Sequence, residues 1–146
     1  MFLDTRNARR LISTNPVTIL TTEDKEGNTN AMTAAWNTPV SLDPSLVMIS
    51  VHEDRFSMKN LEETGEEKGF VLNVPSKKYL QETYYLGTRS GEKEKEKIEN
   101  AGFSLKEPEE VEVSKVEECV AWIECEMVDK VKEGDHYLII GKPVSA

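Results

Sequence analysis

The sequence predicts a mainly β, antiparallel fold with helices inserted midway. Three observations carry that reading. Apolar or alternating runs of strand length fill both ends of the chain, hairpin-type turns separate consecutive runs, and the longer helix-compatible segments fall within residues 76–102.

Residues 16–22 (Pro-Val-Thr-Ile-Leu-Thr-Thr) form the first strand, and residues 23–28 a polar turn with its glycine near the end. Residues 29–36 return antiparallel to it. Pro39 and Pro44 bracket a loop, and residues 45–52 supply a third, mostly apolar strand, so the three make a meander or a barrel wall. Phe56 and Leu61 mark a short helix stopped at Gly65, and residues 69–75 are a fourth strand closed by Pro75. Residues 76–87 are helix-compatible, with Tyr79, Leu80, Tyr84 and Leu86 on an uneven apolar face. In residues 92–102, Glu92/Lys95 and Lys93/Glu96 attract at i,i+3 while Glu92/Glu96 and Lys93/Lys97 repel at i,i+4, which predicts a solvated helix of modest stability. Residues 106–112 are an acidic loop. Residues 118–132 pair with residues 136–140 across a turn at 133–135.

Composition bounds the function. A chain of 146 residues suits one domain spanning residues 1–146. A net charge of -9 argues against duplex nucleic acid or an anionic membrane as partner, and requires any anionic ligand to meet a local basic cluster. The absence of a long apolar run or a secretory leader pattern predicts a cytoplasmic protein. Cys119 and Cys125 fall on one apolar face of a strand, about 20 Å apart, too far for a disulfide and without the spacing of a metal site. They read as buried structural thiols.

Residues 30–44 (Asn-Ala-Met-Thr-Ala-Ala-Trp-Asn-Thr-Pro-Val-Ser-Leu-Asp-Pro) are unusual for a strand, because Ala31, Thr33, Ala34 and Ala35 lack the bulk by which strands pack. A flat ligand lying along such a surface reaches main-chain groups directly; tight sheet packing is the competing reading. Arg55, Ser57 and Lys59 open a helix directly after the third strand, where free N–H groups, the helix dipole and basic side chains suit a phosphate. Each alone also reads as an ordinary cap or a solvated charge. Asn73 stands in an apolar strand and needs a partner, either backbone or ligand. Gly87, Arg89, Ser90 and Gly91 make a donor-rich loop or a plain glycine turn. His136 follows the turn Gly134-Asp135 and is the foremost titratable candidate; His52 reads as structural.

Residues 16–22, Asn30-x-Met32-Thr33-Ala34-Ala35-Trp36 with Pro39-Val40-Ser41-Leu42-Asp43-Pro44, residues 70–75 with Asn73, Gly87-Thr88-Arg89-Ser90-Gly91 and Gly134-Asp135-His136 occur together in this order. The chain resembles the flavin reductase-like, FMN-binding split-barrel proteins, which include flavoredoxins and archaeal ferric reductases. The resemblance implies a Greek-key-like split β-barrel, bound FMN, NADH or NADPH as reductant, and a homodimer. It implies that Met32, Thr33, Ala34, Ala35 and Trp36 face the isoalloxazine and that Arg55, Ser57 and Lys59 hold the phosphate. Asn73, Gly87, Arg89, Ser90 and Gly91 would also approach the cofactor, and His136 the flavin or the nicotinamide, with no metal required. Relatives usually continue past the strand that corresponds to residues 136–144, which bears on barrel closure and the dimer contact. The implied activity is an NAD(P)H-dependent flavin or ferric reductase. The alternatives are a flavoredoxin-type electron carrier reduced by a redox-protein partner, and an interaction module without flavin.

Overall fold

A computed structural model describes residues 4–146, the Arg6 side chain excepted; residues 1–3 of the expected domain lie outside the described residues. After a 3-10 turn at Thr5–Ile12 come β1 (Thr18–Glu23), β2 (Thr29–Ala34), β3 (Asn37–Ser41), β4 (Leu46–His52), α1 (Phe56–Lys68) and β5 (Phe70–Val74). A second 3-10 turn (Lys77–Tyr79) leads into α2 (Leu80–Thr88), then α3 (Lys97–Asn100), β6 (Leu105–Lys106), β7 (Lys115–Val116), β8 (Ala121–Glu133) and β9 (His136–Ser145). The main sheet is antiparallel with strand order β2-β1-β5-β8-β9-β4-β3, and β6 pairs with β7 beside it. Among the described residues, no helix is long and apolar enough to cross a membrane.

This order forces the sheet to curl. Seven strands laid flat would hold the outer two about 29 Å apart at the usual spacing of ~4.8 Å. Yet β2 and β3, the two edges, are joined through Ala35 and Trp36 alone, a link reaching about 11 Å. The edges therefore meet at this corner. Asn37 pins it, its Nδ2 donating to the carbonyls of Ala34 (3.3 Å) and Pro16 (3.0 Å), while the Ser50 N–H donates to Trp36 O (2.8 Å). In place of three early strands in a continuous meander, there are four, β1/β2 and β3/β4, forming two hairpins on opposite edges of a split barrel.

Alternation along β1 divides the core. Leu20 faces the barrel interior with Ile49, Val51, Phe70, Leu72 and Ile139, and α1 seals that cluster with Met58 and Leu61. Ile19 faces outward, where Leu86, Ile98, Phe103 and Cys119 cover it.

Several elements differ from the sequence expectation. The stretch between Pro39 and Pro44 begins as a strand: β3 tolerates Pro39 because it is an edge, and its register shifts between Pro39 and Ser41. Helix α1 passes through Gly65 and ends at Gly69, whose φ of +74° suits a glycine stop. Gly65 instead admits Met127, whose sulfur would stand 2.9 Å from an added Cβ. In residues 92–102 only Lys97–Asn100 is α-helical, in keeping with the cancelling charge pairs. Cys119 precedes β8 instead of sharing its face; both thiols are buried, and burial pushes each up to about 12.

Glu124, which alternates with the buried Cys125 along β8, is itself buried. Strand β8 lies between β5 and β9, and residues 109–111 fold over its second face. Lys115 Nζ donates to Glu124 Oε1 at 2.7 Å, and the N–H groups of Glu109, Glu110 and Val111 converge on the same carboxylate. Burial acts most strongly and raises its pKa, but Lys115 and the three N–H donors together outweigh it and hold the carboxyl below its ordinary value. A carboxylate depressed in the folded state stabilises above its unfolded pKa, and that contribution disappears as pH falls through the folded value. Lys115→Met should therefore cost about 3–5 kcal/mol by leaving Glu124 charged and unpaired, seen as a lowered unfolding midpoint at neutral pH. The deficit should shrink on acidification; an unchanged midpoint at pH 7 would refute the role given to this pair.

Candidate functional site

Strand β4 delivers the chain to the start of α1 at Arg55, which sits in extended conformation at the helix N-terminus with no side chain capping the first turn. That leaves N–H groups and the positive dipole end available to an anion. On one side of this turn β2 contributes Met32 and Thr33; on the other, the end of α2 contributes Gly87 and the segment after it Arg89, Ser90 and Gly91. Asp54, Arg55, Phe56 and Ser57 at the helix start, with Asn30, Leu86 and Lys97, complete the lining. Together they line a cavity of about 130 Å³, well below the ~300–1,000 Å³ typical of a whole ligand site and suited to a single small group.

Glycine is needed at both ends of this wall. A Cβ at Gly87 would come within 3.0 Å of the Thr33 Cβ, and one at Gly91 within 2.1 Å of Asn30 Oδ1 and 3.1 Å of the Phe56 ring. Thr33 Oγ1 also donates to the Thr83 carbonyl, which ties β2 to α2. Asn30 Nδ2 donates to Ser57 Oγ at 2.7 Å, so the Ser57 hydroxyl accepts from below and keeps its own proton for a group in the cavity. Asn30 Oδ1 is buried without a donor, in a residue only 5% exposed. An unmatched acceptor of this kind costs about 1–3 kcal/mol, and this one is packed against Gly91.

Lys97 is the residue that sequence reasoning missed. Within the charged stretch it looked solvated, but it is 2% exposed and its Nζ donates to the Arg89 carbonyl at 3.1 Å on the cavity wall. Burial lowers its pKa to about 8; Glu94 opposes that and Arg55 adds to it. Glu94 is itself occupied, accepting from Tyr85 Oη (2.5 Å) and Asn100 Nδ2 (2.8 Å), with the Tyr85 hydrogen bond leading the causes that hold it below its ordinary value. Arg89 stacks over the Tyr85 ring, 5.2 Å from its centroid. The apolar Ile98 at i+1 and Phe103 beyond the glycine were the available signal that this segment packs inward.

Other candidates lie elsewhere. Lys59 lines an adjoining cavity of about 510 Å³ that shares Asn30, Phe56 and Gly91 with the first. Asn73 is fully buried and taken up by the protein: Nδ2 donates to Ile19 O (2.8 Å) and Oδ1 accepts from Val116 N–H (2.8 Å), so its partner is backbone. Ala34 packs into the barrel core. Ala35 and Trp36 form the exposed corner between β2 and β3. Trp36 stacks on His136 (4.9 Å between centroids), which lines an open cleft on the outer face of β4 and β9 together with His52.

The two histidines share Asp135. His136 Nδ1 lies 2.6 Å from Asp135 Oδ1, and His52 Nε2 lies 3.7 Å from Oδ2. His52 Nδ1 accepts the Asp54 N–H at 3.1 Å, which assigns the neutral His52 proton to Nε2. The hydrogen bond to His136 leads the causes that lower the Asp135 pKa. Asp54, two residues beyond His52, already lines the small cavity, so cleft and cavity are neighbours along β4.

A family model described as a flavin reductase like domain matches residues 9–146. The chain belongs to the flavin reductase-like family. An uncharacterized family relative in Archaeoglobus fulgidus is 37% identical over 113 residues, covering 77% of this chain and 62% of that protein, so the chain spans less than two thirds of its length. A flavin reductase of Pseudomonas putida is 29% identical over 125 residues, covering 86% of this chain and 68% of that one. The crystal structure of a flavoredoxin from Methanosarcina acetivorans superposes with a TM-score of 0.80 at 25% identity, over 90% of this chain and 67% of that chain. A Shewanella frigidimarina protein with a split barrel domain shares the fold, with a TM-score of 0.82 at 18% identity over 98% of this chain and 73% of that one.

Lys97 gives this site a pH signature. Its pKa falls from an ordinary 10.5 to about 8, so the folded chain binds fewer protons than the unfolded chain between those values and gains stability as pH rises through that window. Relative to Lys97→Met, the ligand-free wild type should therefore gain roughly 3 kcal/mol between pH 7 and 10.5 in unfolding measurements. A flat difference would mean that Lys97 is solvated.

Proposed function

We propose that this chain is an FMN-binding oxidoreductase that holds the FMN phosphate in the small cavity at the start of α1 and accepts reducing equivalents from NADH or NADPH. The observation that supports this most is the buried Lys97 beside Arg55, Ser57 and an uncapped helix N-terminus: cation, guanidinium, hydroxyl and N–H donors converge on a space the size of one phosphate. FMN, when bound, supplies hydride acceptance at N5 and electron transfer onward.

The chain's own residues position and tune. Arg55, Arg89 and Lys97 neutralise the phosphate, and Ser57 donates with its orientation set by Asn30. Met32 and Thr33 lie where β2 borders the phosphate, and the small residues beyond them lead along the strand toward Trp36. Trp36 and His136 stand past the end of β2, with Asp135 keeping a proton on His136 Nδ1 and leaving Nε2 to a ligand. Pairing of two copies belongs to the same proposal, and Leu80 and Tyr84, 62% and 70% exposed on α2, offer it an apolar surface.

Titration of FMN into the purified chain, followed by quenching of flavin fluorescence, tests the cofactor assignment. Arg55→Ala and Lys97→Met should each weaken binding at least tenfold at pH 7, with the fold retained by circular dichroism. Unchanged affinity in both variants would contradict the phosphate site. Anaerobic addition of NADH and NADPH should bleach the bound flavin; bleaching by dithionite alone would instead support a carrier reduced by a partner protein, for which the charge of -9 suits a basic surface.

A further inference from the structure

His52 connects the histidine cleft to the phosphate cavity. It lines the cleft with His136, while its Nδ1 accepts the N–H of Asp54, a residue of the cavity wall. That 3.1 Å bond exists only while Nδ1 carries no proton. Asp54 is also the one acidic residue among the described residues that line the cavity, beside Arg55, Arg89 and Lys97, and its charge opposes an arriving anion. We propose that His52 is a positioning residue of the anion site: a proton taken from solvent onto Nδ1 pairs the imidazolium with the Asp54 carboxylate, releases the Asp54 N–H, and strengthens the cavity's hold on a phosphate. The inference rests on the phosphate reading above and adds to it a residue, outside the cavity lining, that sets how strongly the anion is held.

The surroundings of His52 favour the added charge. Asp54 Oδ2 lies 3.8 Å from Nδ1 and Asp135 Oδ2 lies 3.7 Å from Nε2, so a carboxylate stands by each ring nitrogen. Asp135 is held below its ordinary value, first by the His136 hydrogen bond and further by the charges of both histidines, against the opposing effect of burial. The like group is His136, whose ring meets that of His52 edge-on at 5.0 Å, but its Nδ1 is already tied to Asp135 Oδ1. Glu133 from β8, with Asp4 and Arg9 from the N-terminal turn, lines the same cleft, and Glu53 is engaged by Lys132 at 2.5 Å. Carboxylates thus outnumber cations around the ring. The path to the anion is short: besides the Asp54 bond, the Arg55 N–H donates to the His52 carbonyl at 3.0 Å, so His52 holds both residues that lead into the cavity. By reciprocity a bound phosphate must raise the proton affinity of His52 by the same factor.

An imidazole changes charge within about pH 5–8, and between pH 5 and 7 Lys97 stays mostly charged. Titration of FMN into the full chain at pH 5 and pH 7, followed by flavin fluorescence quenching in the wild type and in His52→Asn, therefore tests the proposal. Asn offers an Oδ1 acceptor to the Asp54 N–H but takes up no proton, and protonation of the FMN phosphate itself cancels in the comparison. The ratio of wild-type to variant affinity should rise at least fivefold from pH 7 to pH 5. The chain has two histidines, so the imidazole NMR signal of His52 is identified by its loss in the variant. Saturation with FMN should raise the pH at which that signal titrates by about 0.7 or more, the same fivefold seen from the side of the proton. An affinity ratio that stays constant with pH, or a His52 titration that FMN leaves in place, would overturn the inference and leave the phosphate site standing. Failure of FMN to bind at either pH would remove the reading on which it rests.

Discussion

A lysine ammonium taken out of water is the constraint around which the site is organised. Lys97 is buried beside Arg55, a like charge, and its direct hydrogen bond goes to a neutral carbonyl, that of Arg89. Burying a charge without a counter-charge is expensive, and the neighbouring Glu94 is committed to Tyr85 and Asn100. The electrostatics therefore favour an anion arriving in the cavity, at the one helix start where α1 offers uncapped N–H groups. The contrast with Lys115 is instructive. That lysine is equally buried but has Glu124 at 2.7 Å, and its pair is a structural clamp with nothing left to offer a ligand.

The barrel closure is what brings these parts together. Because β2 and β3 occupy opposite edges and are joined by two residues, the sheet wraps until the small-residue strand stands next to the end of β4 and the beginning of α1. The scarcity of bulk in β2 then has two uses. Ala31 and Ala34 pack tightly on their two sides, while Thr33 lets Gly87 approach and Asn30 reaches under Ser57. An acidic protein thus assembles one local basic cavity from three separate segments.

Much of the fold was legible in the sequence, because period-2 alternation and glycine turns are local signals: the β1/β2 hairpin, β4, β5 and the β8/β9 hairpin fall close to where their residues predict. What was not legible depends on partners distant in sequence. Pro39 argued against a strand until the topology made β3 an edge, and Glu124 is buried by residues 109–111, which nothing local to β8 announces. For the site, the helix-opening cluster of Arg55 and Ser57 and the Gly87–Gly91 segment were readable as motifs and do converge. Lys97 was hidden by the charge of its neighbours, and Asn73 was singled out by a burial cost that backbone groups of β1 and β7 fully meet.

The central claim is that this cavity recognises a phosphate, and comparison of FMN with riboflavin isolates that group, since the two differ in nothing else. The account predicts that FMN binds at least a hundredfold more tightly than riboflavin at pH 7, and that this ratio falls sharply in Lys97→Met and as pH is raised through about 8. Equal affinity for the two flavins, or a ratio that ignores both Lys97 and pH, would contradict it.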